Sequence, residues 1–120
     1  MVNKINLKKK FSLFDDLWSP KIITDLNDSQ VKLAKVKGEF VWHKHDNEDE
    51  LFLVVKGQLK IELRDKDLHL NEGEIVVIPK GVEHKPVADK EVEILLIESK
   101  GTVNTGDILD EKTKKVEEYI

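Results

Sequence analysis

The sequence predicts an all-β chain of many short antiparallel strands, and three observations carry that expectation. Segments of four to eight residues rich in Val, Ile and Leu recur between turn residues through most of the chain. Within 58–64, Leu59, Ile61 and Leu63 alternate with Lys60, Glu62 and Arg64, the period-two pattern of a strand with one face to water. With 120 residues there is enough chain for one core and too little for two, so one barrel or sandwich spanning 1–120 is the expected architecture.

The expected strands are 21–26, 30–37, 40–44, 50–56, 58–64, 67–70, 75–78, 84–88 and 91–98. Between them stand turn residues: Asn27-Asp28-Ser29, Gly38, Asp46-Asn47, Gly57, Asp65-Lys66, Asn71-Glu72-Gly73 and Pro79-Lys80-Gly81. Two segments near the termini read as short helices. Phe11, Phe14, Leu17 and Trp18 fall at helical spacing, and 110–120 is a charged run of good helix formers. Strand 50–56 differs from its neighbours because both of its faces are apolar: Phe52 and Val54 share one with Glu50, while Leu51, Leu53 and Val55 share the other. Both sides of that strand therefore need a cover.

Composition removes several classes of function. The 20 basic and 24 acidic residues leave a formal charge of −4, which repels nucleic acid, and the only basic run, Lys8-Lys9-Lys10, reads as a solvated turn. The absence of cysteine removes disulfides, thiolate catalysis and cysteine-bound zinc together. The longest apolar run, Leu51 to Val55, is far short of the roughly 20 residues that span a bilayer. No membrane or nucleic-acid partner is expected, and the expected location is the cytoplasm.

Chemistry concentrates in the histidines, of which there are 4. His43 and His45 stand at i and i+2 of an extended segment, so their imidazoles leave on the same face. Glu50 opens the next apolar strand in phase with Phe52, where an unpaired carboxylate is costly to bury. His84 follows the Pro79-Lys80-Gly81 turn, which sends the chain back across the sheet. Three neutral imidazoles and one carboxylate suit a divalent transition metal (Fe, Mn, Ni, Zn or Cu), with about two positions left for water or substrate in an octahedral shell. Taken singly, each residue has a plainer reading: a polar strand surface for the His pair, a solvated strand end for Glu50, a hydrogen-bonded turn for His84. The fourth histidine, His69, alternates with Leu68 and Leu70 and reads as solvated surface.

The run from Gly38 to Gly57, containing His43-Lys-His45 and Glu50, resembles the first cupin motif, G-x5-H-x-H-x3,4-E-x6-G. The run from Gly73 to Ala88, containing Pro79, Gly81 and His84, resembles the second, G-x5-P-x-G-x2-H-x3-N. Four residues rather than five separate Gly38 from His43, and Ala88 stands where the motif ends in Asn. Neither departure touches a histidine or the glutamate. The resemblance to small single-domain cupins implies an antiparallel β-barrel of jelly-roll type with motifs at 38–57 and 73–88. It also carries His43, His45, Glu50 and His84 over as ligands of one metal inside the barrel.

Beside those ligands the expected pocket is Phe52, Val54, Leu59, Ile61, Leu63, Ile94 and Leu96, an apolar set suited to a small organic molecule. Arg64, the only arginine, alternates away from that face, so no inward bidentate anion clamp is evident. The resemblance implies a metal-dependent enzyme of dioxygenase or isomerase type. The alternative is a binding module that senses or sequesters a small molecule or a metal, since no general acid or base is evident beyond the ligand set. A symmetric homodimer is expected from strand 50–56 and from Phe40 and Trp42, which alternation places opposite His43 and His45.

Overall fold

The computed structural model describes residues 2–120. One short helix, α1 (Leu7–Phe11), precedes eight strands: β1 (Lys21–Leu26), β2 (Ser29–Glu39), β3 (Glu50–Lys56), β4 (Leu59–Leu63), β5 (Asp67–Leu70), β6 (Ile75–Ile78), β7 (His84–Ser99) and β8 (Glu118–Tyr119). They join in a single sheet ordered β5-β4-β7-β2-β1-β8, with β3 inserted between β6 and β7. β7 organises the whole. Its first residues pair with β4 and its later ones with β3 along one edge, while β2 follows the other edge. The sheet curls around one core without closing a hydrogen-bonded ring, which gives the expected small barrel architecture.

Alternation explains which side chains go inside. Ala34 and Val36 of β2, Phe52 and Val54 of β3, Leu59 and Ile61 of β4, and Val92, Ile94 and Leu96 of β7 form the core. On the opposite face of β2, Leu33 is covered by Phe11 and Phe14, with Ile23, Val55, Leu95 and Ile120 packed around them. The N-terminal segment therefore supplies part of the second cover that doubly apolar 50–56 demanded.

Four local expectations are corrected. The segment 40–44 is not a strand: after the Glu39↔Val87 pair the ladder breaks, and only a bridge between His43 and His84 remains. Phe40 N donates to Pro86 O and His43 N to His84 O, so three residues on one side oppose two on the other. That extra residue reverses the alternation and turns Phe40 inward beside His43, their rings 5.3 Å apart. Strands 84–88 and 91–98 are one 16-residue strand, bulged where the register shifts between Val36 and Gly38. Gly38 takes φ +84 at that bulge, a backbone shape glycine adopts freely.

The helix expected over 11–18 lies earlier, because Asn6 accepts from Lys9 N and starts the turn there. Residues after it spend their backbone on β2 instead: Leu17 bridges to Lys35, and Trp18 N donates to Lys35 O at 2.9 Å. The helix expected over 110–120 does not form. Glu118 and Tyr119 pair in parallel with Lys21 and Ile22, and Ile120 N donates to Ile22 O. The open edge of β1 and the Lys21–Glu118 ion pair outweigh helix propensity in that run.

Ile61 is completely buried at the centre of the core. Ile61→Ala is expected to destabilise the protein by about 2–5 kcal/mol, read as a lower urea midpoint at unchanged m.

Candidate metal centre

The four residues singled out by spacing come from three pieces of backbone that the sheet forces together. His43 and His84 face each other through reciprocal backbone bonds, His43 N to His84 O at 3.1 Å and His84 N to His43 O at 2.9 Å. Glu50 opens β3, which pairs with β7. His45 lies past the bridge, where Gly81 N donates to its carbonyl at 2.8 Å and Lys80 N to Asp49 Oδ1 at 2.9 Å. The Pro79-Lys80-Gly81 turn thus holds the loop that carries His45.

All four side chains are buried, and one ligand atom from each lies within 4.8 Å of every other. Glu50 Oε1 is 3.4 Å from both His45 Nε2 and His84 Nε2. Ligand atoms about 2.1 Å from a shared ion stand about 3 Å apart when adjacent in an octahedron, so these separations fit a common centre. His43 Nδ1 lies 2.8 Å from Val41 O and His84 Nδ1 2.9 Å from Val82 O. A proton held on each Nδ1 fixes the ring and leaves Nε2 as the free acceptor. Consistently, His45 Nε2, Glu50 Oε1 and His84 Nε2 are buried with no hydrogen-bond partner. Three orphaned acceptors converging in an apolar interior are costly unless a cation or proton satisfies them.

Electrostatics separates the group into roles. Burial, helped by the neighbouring His84, pushes the His43 imidazole down to about 4, which keeps it neutral and able to donate its lone pair. Burial opposes the charge on His45, but the adjacent carboxylate of Glu50 overcomes it and raises its pKa. Burial alone would raise Glu50, yet its close neighbours Glu98, His45 and His84 hold it well below the usual carboxylate range.

Beside the cluster lies a cavity of about 40 Å³. That is space for roughly three waters. Trp18, Phe40, Phe52, Ile94 and Leu96 form its apolar wall, and His43, Glu50, Glu98 and Asn104 its polar part. Of the expected pocket, Phe52, Ile94 and Leu96 are in place. Val54, Leu59, Ile61 and Leu63 do not line it: the first three are sealed in the core and Leu63 packs against them. For the first three the reason is depth, since the cluster sits at one end of the barrel and they lie further in, whereas Leu63 stands opposite His84 on β4 and turns to the core. Trp18 and Phe40 take their place, stacked with centroids 4.7 Å apart. His69 is exposed, and Arg64 lies over the Trp42 ring at 3.8 Å and bonds Glu83 at the surface.

Sequence reasoning passed over a buried charged group. Lys32, fully buried, donates to Glu98 Oε1 at 2.7 Å and pairs with Glu117. Burial and the charge of Glu50 raise the pKa of Glu98 well above the usual carboxylate range, and burial raises that of Glu117. The signal was present in the alternation: Lys32 shares a face with Ala34 and Val36, and Glu98 with Ile94 and Leu96.

The fold agrees with what comparison with known proteins finds. Residues 30–98 match the Cupin domain family. YdbB of Bacillus subtilis, an uncharacterised protein, is 37% identical over 87 residues, covering 63% of this chain and 77% of that one. A crystal structure of a cupin-2 domain protein from Shewanella frigidimarina is 54% identical with a TM-score of 0.79, covering 80% of this chain and 94% of that one. The structure of NMB1881 from Neisseria meningitidis is 32% identical with a TM-score of 0.75, covering 81% and 99%.

A loop beyond β7 braces the histidine pair from behind. Asp107 N donates to Lys44 O and Lys44 N to Asp107 Oδ1, both at 3.0 Å. A Cβ on Gly106 would stand 2.1 Å from Lys44 O and 3.2 Å from His43 Cδ2. Gly106→Ala is therefore expected to displace the 43–45 loop and cost about 1–3 kcal/mol of stability, measured by thermal unfolding of the metal-free protein.

Proposed function

This chain belongs to the cupin domain family, and from that premise we propose that it is a metal-dependent protein whose His43, His45, Glu50 and His84 hold one divalent transition ion (Fe, Mn, Ni or Zn) beside a small-molecule cavity. The observation that carries this is the convergence of three partnerless buried acceptors, His45 Nε2, Glu50 Oε1 and His84 Nε2, on one point. Bound there, such an ion would supply Lewis-acid chemistry, activation of water or, if redox-active, dioxygen chemistry.

The chain's own residues do the rest. His43 and His84, each oriented through Nδ1, turn Nε2 toward the common centre. Trp18, Phe40 and Phe52 exclude water and favour a small, largely apolar molecule. Glu98 adds a carboxyl to the cavity wall beyond the ligand set, which favours catalysis of the dioxygenase or isomerase kind over a purely binding role. The alternative is a non-catalytic sensing or sequestering module that uses the same four ligands.

Protein purified without oxygen and titrated with Co(II), Fe(II), Ni(II) and Zn(II) is expected to bind one ion per chain, and His84→Ala is expected to weaken that binding by at least about 100-fold. Full affinity in His84→Ala would remove this reading. Oxygen uptake and product formation with small phenols, diketones and sugars separate the two roles, since no turnover with any metal favours the binding module.

We also propose that two copies pair through the outer face of β6, β3 and β7. Leu51 stands between Val77 and Ile97, and Leu53 between Ile75 and Leu95, so six apolar side chains form two rows without a charge. Ile75 is 60% and Val77 49% exposed. A face with no charge of either sign is complementary to itself, which favours a second copy across a two-fold axis over a charged partner. Light scattering at micromolar concentration is expected to give twice the chain mass, and Val77→Lys about half that value; a monomeric wild type would refute the pairing.

A further inference from the structure

Glu50 stands directly opposite Glu98 in the β3–β7 ladder, so both carboxyls leave the sheet on its inner face. Glu98 is 3% exposed and lines the same cavity as Glu50 and His43. Its Oε1 takes Lys32 Nζ, while Oε2 meets no donor from the chain. Lys32 spends its charge twice, on Glu98 and on Glu117. Glu117 belongs to none of the barrel strands. It lies in the segment that follows β7, next to β8, and outside the residues that match the family, 30–98.

A buried row therefore runs from that segment to the candidate centre: Glu117, Lys32, Glu98, Glu50. We infer that Glu98 is a positioning residue for Glu50, and that this row couples the docking of residues 100–120 to occupancy of the centre by a divalent cation. The inference rests on the metal reading above.

The physical link is charge in a poorly screened interior. Two carboxylates, Glu98 and Glu117, share the one ammonium of Lys32, and Glu98 stands opposite a third, Glu50, which repels it. Lys32 offsets part of that repulsion. A dication on Glu50 offsets the remainder, so Lys32 and Glu117 hold each other more tightly and the segment carrying Glu117 stays down. The same coupling free energy acts in reverse, and a docked Glu117 favours the cation. Glu98, directly opposite Glu50 in the ladder, is also placed to keep that carboxylate turned toward the imidazoles, the role that outer partners of ligating carboxylates play.

Two readouts test the coupling. The first is Co(II) affinity, followed by its visible absorption against a competing chelator. Glu98→Leu is expected to lose about 10–100-fold, with Glu98→Gln, which keeps the shape and offers Glu50 an amide donor, recovering much of that loss. Glu117→Gln, which keeps the shape of a side chain only 7% exposed and leaves the Gly106 packing intact, is expected to lose about fivefold, a coupling near 1 kcal/mol. The second is the rate at which trypsin cuts at the exposed Lys114 and Lys115, upstream of Glu117.

Saturating Co(II) is expected to slow that cleavage about fivefold in wild type and under twofold in Glu98→Leu. In the metal-free protein Glu50→Gln is expected to slow it as well, because it removes the same repulsion. Unchanged Co(II) affinity in Glu117→Gln, or cleavage indifferent to both Co(II) and Glu50→Gln, would overturn the coupling. A wild type that binds no Co(II) would instead overturn the metal reading, while the Glu50→Gln comparison still decides whether Glu50 and residues 100–120 communicate.

Discussion

A carboxylate buried among three imidazoles, inside a barrel whose other contents are almost all hydrocarbon, is the constraint around which this structure is arranged. Leaving Glu50 Oε1, His45 Nε2 and His84 Nε2 unsatisfied costs free energy that no neighbouring apolar contact returns. The surroundings hold the four side chains in place all the same. Reciprocal backbone bonds clamp His43 to His84, the Pro79-Lys80-Gly81 turn clamps the His45 loop, and the Gly106 turn closes against Lys44 from outside. Each clamp fixes the backbone that carries a histidine, the arrangement expected where geometry must be ready in advance.

Much of this was legible in the sequence because its signals are local and periodic. Period-two alternation names the inward residues of β3 and β4 without knowledge of their neighbours. The spacing of His43, His45, Glu50 and His84 places four donors where two strands and a return strand meet. What could not be read was how far along the barrel the cluster sits. That depends on the pairing of β3 with β7, a register set by residues more than forty positions apart. Hence Val54, Leu59 and Ile61 read as pocket and pack as core, while Trp18, from a segment read as helix, closes the cavity.

The two misplaced helices and the missing strand share one cause. Helical spacing in 11–18 and helix-forming composition in 110–120 are weak preferences worth tenths of a kcal/mol per residue. An open sheet edge offers whole backbone hydrogen bonds instead. Trp18 bonds to β2 and Ile120 to β1, and in both places tertiary pairing decides. At 40–43 the balance tips the other way, and the ladder gives up regularity so that Phe40 and His43 can face inward together. Alternation cannot foresee such an irregularity, because one extra residue inverts every face that follows.

Lys32 presents the opposite problem, a residue whose position was readable and whose burial is hard to justify by stability. Taking an ammonium and two carboxylates out of water costs several kcal/mol per ion, and apolar residues of similar volume in such places are often neutral or stabilising. With Ala34 and Val36 beside it on the same face, an apolar residue would fit at position 32 without trouble. The charged group therefore has to be understood through what it touches. Glu98 faces both Glu50 and the cavity, Glu117 ties in residues outside the barrel strands, and Lys32 is the cation that lets two carboxylates stand there at once. It is through such a group that the proposed coupling between Glu50 and residues 100–120 would run.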